Sequence, residues 1–149
     1  MAKPIPDGYH TLTPYLIVPD GEKELRFLSE VLGAKVVERH NRADGTLKHG
    51  ELLVGDSRLM MAQATGAHSV QTMTFYLYVE DADATYQRAL QHGARSLMPV
   101  TQQYYGDRNG GFVDPAGISW YVATHVEDVS PEEIQRRSEQ QDAAEAGRH

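Results

Sequence analysis

His49 and Glu51 sit two residues apart in the run Leu47 to Val54, LKHGELLV. Alternation of this kind reads as a strand. Leu52 and Val54 belong in the core, so His49 and Glu51 share the opposite face. An imidazole beside a carboxylate can serve as a general base with its orienting partner near neutral pH. Tyrosines recur on comparable faces: Tyr15 within Thr11 to Val18, Tyr76 and Tyr78 within Met73 to Glu80, and Tyr121 within Ile118 to Thr124. Phenol rings around a few placed polar groups are the usual lining of a small-molecule site, and this composition favours lining over catalytic phenols. The loop Thr101 to Asn109 holds Tyr104, Tyr105, Gly106, Asp107 and Arg108, which together read as a flap. Tyr104 and Arg108 are expected to touch ligand, Arg108 through an anionic group, whereas Asp107 is expected to form a structural turn. The alternative for His49 and Glu51 is pairing with Arg58 or Arg108. As metal ligands, two are too few. His10, His40, His68, His92, His125 and His149 have no partners at metal-like spacing, and solvated or capping roles are expected for them.

The elements that position these residues come in two copies. YLIVPD from Tyr15 is echoed by YLYVED from Tyr76, and Leu59-Met60-Met61-Ala62 by Trp120-Tyr121-Val122-Ala123, at an offset of 61. Such self-similarity decides the architecture before any single element is assigned. In the first copy, a strand over 11–18 leads to a helix capped by Asp20 and stopped by Gly33, then strands over 35–40, 47–54 and 58–63. Leu12, Leu16 and Val18 are expected under that helix. The second copy follows a polar linker: a strand over 73–80, a helix from Asp81 to about His92, and strands over 95–100, 110–113 and 118–124. Phe75, Leu77, Val79, Trp120 and Val122 are its core face. The prediction is α+β: two tandem βαβββ modules, about 11–63 and 73–125, in one domain over 1–128. A polar tail over 129–149 opens with the capping-box pattern Ser130-Pro131-Glu132-Glu133. Its helix is polar all round, so it is expected to pack weakly, dock on a partner or fray.

The chain has 149 residues, a formal charge of −7 and no cysteine. The acidic balance argues against nucleic acid, whose phosphates require a basic face. With no cysteine there is no disulfide, zinc–thiolate site or thiol nucleophile. The first ten residues lack the apolar core of a secretory signal, and no apolar run is long enough to span a bilayer. A cytoplasmic protein handling a small molecule is the expectation.

Two βαβββ modules with YLxVxD starts and a DPxG turn (Asp114 to Gly117) before the last strand resemble the vicinal oxygen chelate superfamily, which includes glyoxalase I, bleomycin-resistance proteins and extradiol dioxygenases. TPYLIV, HGELLVGDSRLMMA, YGDRNGGFVDPAG and ATHVEDVSPEE resemble its PhnB-like branch. The resemblance implies a curved, cup-like mixed sheet with a pocket lined by Thr13, Tyr15, Ile17, Met60, Thr74, Tyr76, Tyr78, Ser119 and Tyr121, joined by His49 and Glu51. It also implies a homodimer. In metal-dependent relatives, four side chains on the first and last strands of the modules hold a divalent ion. Here the corresponding positions are Thr13, Met60, Thr74 and Tyr121, and none is the usual imidazole or carboxylate. No metal or other cofactor is therefore expected. Met60 and Met61 read as core or as an adaptable apolar wall.

Two functions follow. One is a metal-independent binder that sequesters a small, partly aromatic or hydrophobic ligand. The other is an enzyme, a lyase, isomerase or dioxygenase-like protein, using His49 and Glu51 for proton transfer or a relocated metal. A regulatory module acting through the tail is a third. No glycine-rich nucleotide loop is present.

Overall fold

The computed structural model describes residues 2–147; His149 and the end of the 129–149 tail lie outside them. Each module starts with a short strand, β1 (Tyr15–Val18) or β5 (Thr74–Tyr78). An aspartate then turns the chain into a helix. Asp20 caps α1 (Gly21–Leu32) by accepting from Lys23 N at 3.1 Å, and Asp81 caps α2 (Ala82–Gln91) by accepting from Ala84 N at 3.0 Å. Gly33 ends α1 at φ 68°, where a Cβ would be strained, and Ala34 N–H returns to Leu28 O at 3.1 Å. Three antiparallel strands complete each module: β2 (Lys35–Asn41), β3 (Leu47–Val54) and β4 (Ser57–Gln63), then β6 (Arg95–Gln102), β7 (Asp107–Val113) and β8 (Ser119–His125).

The sheets are ordered β1-β4-β3-β2 and β5-β8-β7-β6, with the first strand parallel to the last in both. Tyr15 pairs with Met60, and Tyr76 with Tyr121, so the sequence repeat holds residue by residue. The predicted α+β architecture of two βαβββ modules is present.

One core serves both modules. Leu16, Leu28, Leu52 and Met61 are fully buried in the first, Phe112 and Val122 in the second. Helix α1 lies on sheet one, α2 on sheet two, and the helices touch. Phe27 meets Phe112 edge-on at 6.2 Å, and Arg88 Nη2 donates to Val31 O at 2.9 Å. Burial of each large apolar side chain stabilises the fold by roughly 1.5–3 kcal/mol. The sheet faces away from the helices are left open to solvent, and these carry the tyrosines: Tyr15, Tyr76 and Tyr78 are 41%, 45% and 61% exposed.

Three regions differ by two residues or more from the bounds read in sequence. Leu12 is exposed rather than under α1, because pairing with β4 begins at Pro14, whose carbonyl accepts from Met60 N at 2.9 Å but which has no N–H to carry the ladder further back. The first strand is thus 15–18 rather than 11–18, and the fifth is 74–78. The loop over 101–109 shrinks to a turn, as β6 runs to Gln102 and β7 starts at Asp107, with Gln103 N–H donating to Asp107 O at 2.7 Å. Helix α3 (Pro131–Ala146) is capped by Ser130 Oγ, which accepts from Glu133 N at 3.2 Å. It buries no residue and is tied down by Arg137, which donates to Tyr104 O at 3.1 Å and pairs with Glu127 at 2.9 Å. Among the described residues no helix is long and apolar enough to cross a membrane.

Candidate functional site

On sheet one, strand alternation brings Tyr15, His49, Glu51 and Met60 to the open face. Tyr15 and Glu51 both pair with Met60, from opposite sides of β4. Tyr15 Oη lies 3.3 Å from His49 Nδ1, with the rings tilted at 44° and their centroids 5.9 Å apart. His49 Nε2 lies 3.5 Å from Glu51 Oε2, an ion-pair separation rather than a tight hydrogen bond. The imidazole is therefore held between a phenol and a carboxylate. Neither arginine anticipated as a partner takes part: Arg58 sits over the Tyr9 ring at 5.2 Å, and Arg108 pairs with Asp83.

Sheet two carries a denser network. Asp107 is 4% exposed. Its Oδ2 accepts from Tyr76 Oη at 2.6 Å and Tyr78 Oη at 3.0 Å, while Oδ1 lies 2.8 Å from His125 Nδ1. His125 Nε2 lies 2.8 Å from Asp128. Asn109 Nδ2 donates to Tyr76 Oη at 2.9 Å and to Tyr105 Oη at 2.7 Å, and Gln103 holds the Asn109 carbonyl at 3.0 Å. Burial opposes ionisation of Asp107, but donors on Tyr76, His125 and Tyr78 outweigh it and hold the carboxyl below its ordinary range. The Tyr76 phenol is pushed upward by burial and then by the Asp107 carboxylate, and Tyr78 by Asp107 first. Asp107 and then Asp128 raise His125. Both phenols thus direct their hydrogens inward to Asp107, and what they present outward is lone pairs and ring faces.

Tyr121 lies across the backbone of Gly111, where a Cβ would come within 2.6 Å of the ring. Only glycine lets the phenol settle there. Tyr104 sits in the β6–β7 turn, edge-on to Tyr105 at 5.1 Å. Arg108 is on the opposite face of β7 from Asp107 and Asn109. It forms a two-pronged pair with Asp83 in the first turn of α2 (2.7 and 2.8 Å), so its charge is already neutralised.

Sequence reasoning missed Asp107, Asn109 and His125. The signal was available: once β7 starts at Asp107, alternation puts Asp107, Asn109 and Gly111 on one face, and Tyr121, Ala123 and His125 share a parity on β8. Two other histidines hold local roles: His40 pairs with Glu38 at 2.8 Å, and His92 with Glu30 at 3.3 Å.

The family's metal positions do not fit a metal. Thr13 precedes β1, Met60 is on sheet one, and Thr74 and Tyr121 are on sheet two; they offer hydroxyls, a thioether and a phenol. Among the described residues no three His, Asp or Glu side chains gather as an ion would require. Asp107 and Asp128 flank His125 on opposite ring nitrogens and do not converge.

No hydrogen bond, ion pair or ring contact among the described residues joins the Tyr15–His49–Glu51 group to the Tyr76–Asp107–His125 group. A groove of about 950 Å³ runs along the outer edge of β5. Its lining includes Tyr76, Tyr78 and His125, the β3–β4 turn from Val54 to Ser57, and Thr85 and Arg88 of α2.

The sequence model of the family described as the Glyoxalase/Bleomycin resistance protein/Dioxygenase superfamily matches residues 9–122. An uncharacterized protein of Mycobacterium bovis is 32% identical over 135 residues, with 83% of this chain and 89% of that protein covered. Among solved structures, TioX from Micromonospora sp. ML1 superposes with a TM-score of 0.66 at 22% identity, over 78% of this chain and 99% of TioX. The PhnB protein of Bacillus cereus gives 0.65 at 18% identity, over 77% and 99%. At these identities the structural likenesses speak to the fold alone.

Proposed function

Because the chain belongs to the glyoxalase/bleomycin resistance protein/dioxygenase superfamily, we propose that it binds and sequesters a small, partly aromatic or hydrophobic molecule. The site is a cup made by two copies, with the open face of sheet one from one copy set against the open face of sheet two from the other. The carrying observation is the layering on sheet two. Exposed Tyr76 and Tyr78 rings stand on a buried, hydrogen-bonded Asp107–Asn109 base. Rings anchored in this way are rigid before binding, so little side-chain entropy is lost when a ligand stacks on them. Phenols whose protons are committed to a carboxylate are poor bases, which favours recognition over chemistry at this face. Support for the second copy comes from exposure: both tyrosine-bearing faces are open to solvent, and β5 leaves an open strand edge. A reducing cytoplasm suits a chain without cysteine.

Binding is tested by thermal shift with aromatic antibiotics and by light scattering for mass. Stabilisation by an aromatic compound that Tyr78→Ala abolishes, in a dimer, is the expected result. A monomer stabilised by none of them would defeat the reading.

A second reading, an enzyme of the lyase or isomerase kind, rests on the Tyr15–His49–Glu51 contact. His49 would take a proton from carbon beside a carbonyl, with Glu51 orienting it and Tyr15 near the developing oxyanion. His49→Gln separates the two readings: it abolishes turnover in an enzyme but only tunes affinity in a binder.

A further inference from the structure

Arg39, Arg108, Arg136 and Arg137 each meet a carboxylate: Glu22, Asp83, Glu133, and Glu127 with Glu133. Arg42 departs from this pattern. Its Nη1 donates to Thr46 Oγ1 (3.2 Å) and Leu47 O (3.1 Å), and its Nη2 to Gln63 O (3.2 Å), all neutral oxygens. Nearby Asp44 accepts at Oδ1 from Thr46 N and Thr46 Oγ1, and acts on Arg42 through space rather than by a hydrogen bond. A guanidinium has five N–H donors. These three bonds leave Nε–H and one Nη2–H as donors for a carboxylate or phosphate.

Arg42 lines a cavity of about 450 Å³ at the end of sheet one's open face, together with Lys48, His68, Tyr15 and Ile17. The cavity has three basic side chains and no acidic one, in a chain of net charge −7. Neither Lys48 nor the His68 ring forms a side-chain hydrogen bond or ion pair among the described residues. The backbone of His68 is fixed by a turn in which its N–H donates to Thr65 Oγ1 at 3.1 Å. Tyr15 borders this cavity and also touches His49, so the cavity continues the proposed binding face.

We infer that Arg42, Lys48 and His68 form an anion subsite, and that the ligand is an organic anion: a carboxylate or phosphate head in this cavity, with an aromatic or apolar body along Ile17 and Tyr15. This rests on the binding reading above and narrows its ligand class. A concave lining with basic side chains and no acidic one favours such a head over a neutral or cationic one.

The test uses full-length protein and four probes sharing one ring: 2-naphthoate, 2-naphthyl phosphate, 2-naphthalenemethanol and 2-naphthylmethylamine. Affinities are measured by calorimetry at low and moderate salt. At least one anionic probe should bind about tenfold more tightly than the alcohol, with the amine weakest. Comparison of naphthoate with naphthyl phosphate tells which head the cavity takes. Lys48→Glu should remove the anion's advantage while leaving the alcohol unchanged, and His68→Gln should reduce it several-fold. Both positions are exposed, so the variants are expected to fold, and circular dichroism checks this. Equal binding of all four probes overturns the subsite and leaves the cup reading standing. So does an anion preference that Lys48→Glu does not alter. If no probe binds to folded protein, both fall.

Discussion

The carboxyl of Glu24, on α1, meets the carboxylate of Asp114, in the turn after β7, and so joins the two modules through a pair of buried acids. Asp114 already accepts from Ala116 N, Ile118 N and Trp120 Nε1 at 2.8 to 3.0 Å. No donor among the described residues reaches either Glu24 oxygen, so Glu24 is satisfied only by keeping its own proton and donating to Asp114. Burial, and then Asp114, push Glu24 up to about 10. From the unfolded value near 4.5 to about 10, the native state holds a proton that the unfolded chain releases. This contribution is complete below the lower value and is lost as pH rises towards the higher one, at a slope of at most about 1.4 kcal/mol per pH unit. Glu24→Gln keeps a donor and removes the titration. Urea midpoints at pH 6, 7.5 and 9 should fall in the wild type relative to the variant. Parallel profiles would show that Glu24 is ionised in the native protein.

His125 provides a second pH dependence, resolved by its own resonance. Asp107 and Asp128 flank the ring and raise it above 6.5. Its stabilisation is full below 6.5 and is lost as pH rises through the native value. In a histidine proton titration His125 should have a midpoint above 6.5, and Asp107→Asn should lower it. If the midpoint stays put in Asp107→Asn, the ring does not depend on this carboxylate.

Much of this is legible in the chain because the repeat fixes parity twice. Tyr15 beside Met60 and Tyr76 beside Tyr121 follow from one offset, and His49 with Glu51 follows from the apolar demand of Leu52 and Val54. What alternation does not supply is where a strand begins. The tyrosines, glycine and charges around Asp107 read as a loop, yet Gln103 closes a tight turn and the ladder starts at Asp107. That shift sends Arg108 to the helix side and the acid to the open face. Charge balance is equally hidden. Arg42 and Arg108 look alike in sequence, and only tertiary structure shows that Asp83 neutralises one while neutral oxygens hold the other.

Gly111 sets the Tyr121 ring. A methyl group at this position would come within 2.6 to 2.8 Å of ring carbons, so Gly111→Ala must displace the phenol or the strand. Overpacking of this kind typically costs about 1–3 kcal/mol. The variant should unfold at lower urea and lose affinity for aromatic probes. Crystals of Gly111→Ala with the ring unmoved and stability unchanged would show that the strand yields freely there.

The two-copy cup can be tested by complementation. His49→Ala impairs the sheet-one face and Tyr78→Ala the sheet-two face, so each variant alone has only defective cups. When equal amounts are unfolded and refolded together, half the dimers are mixed. Each mixed dimer has one doubly impaired cup and one fully native cup, so about a quarter of all cups should regain wild-type affinity if association is random. A cup built within one chain gains nothing from mixing. The number of tight sites for the best-binding naphthyl probe, counted by calorimetry in the mixture and in each variant alone, decides between the two arrangements.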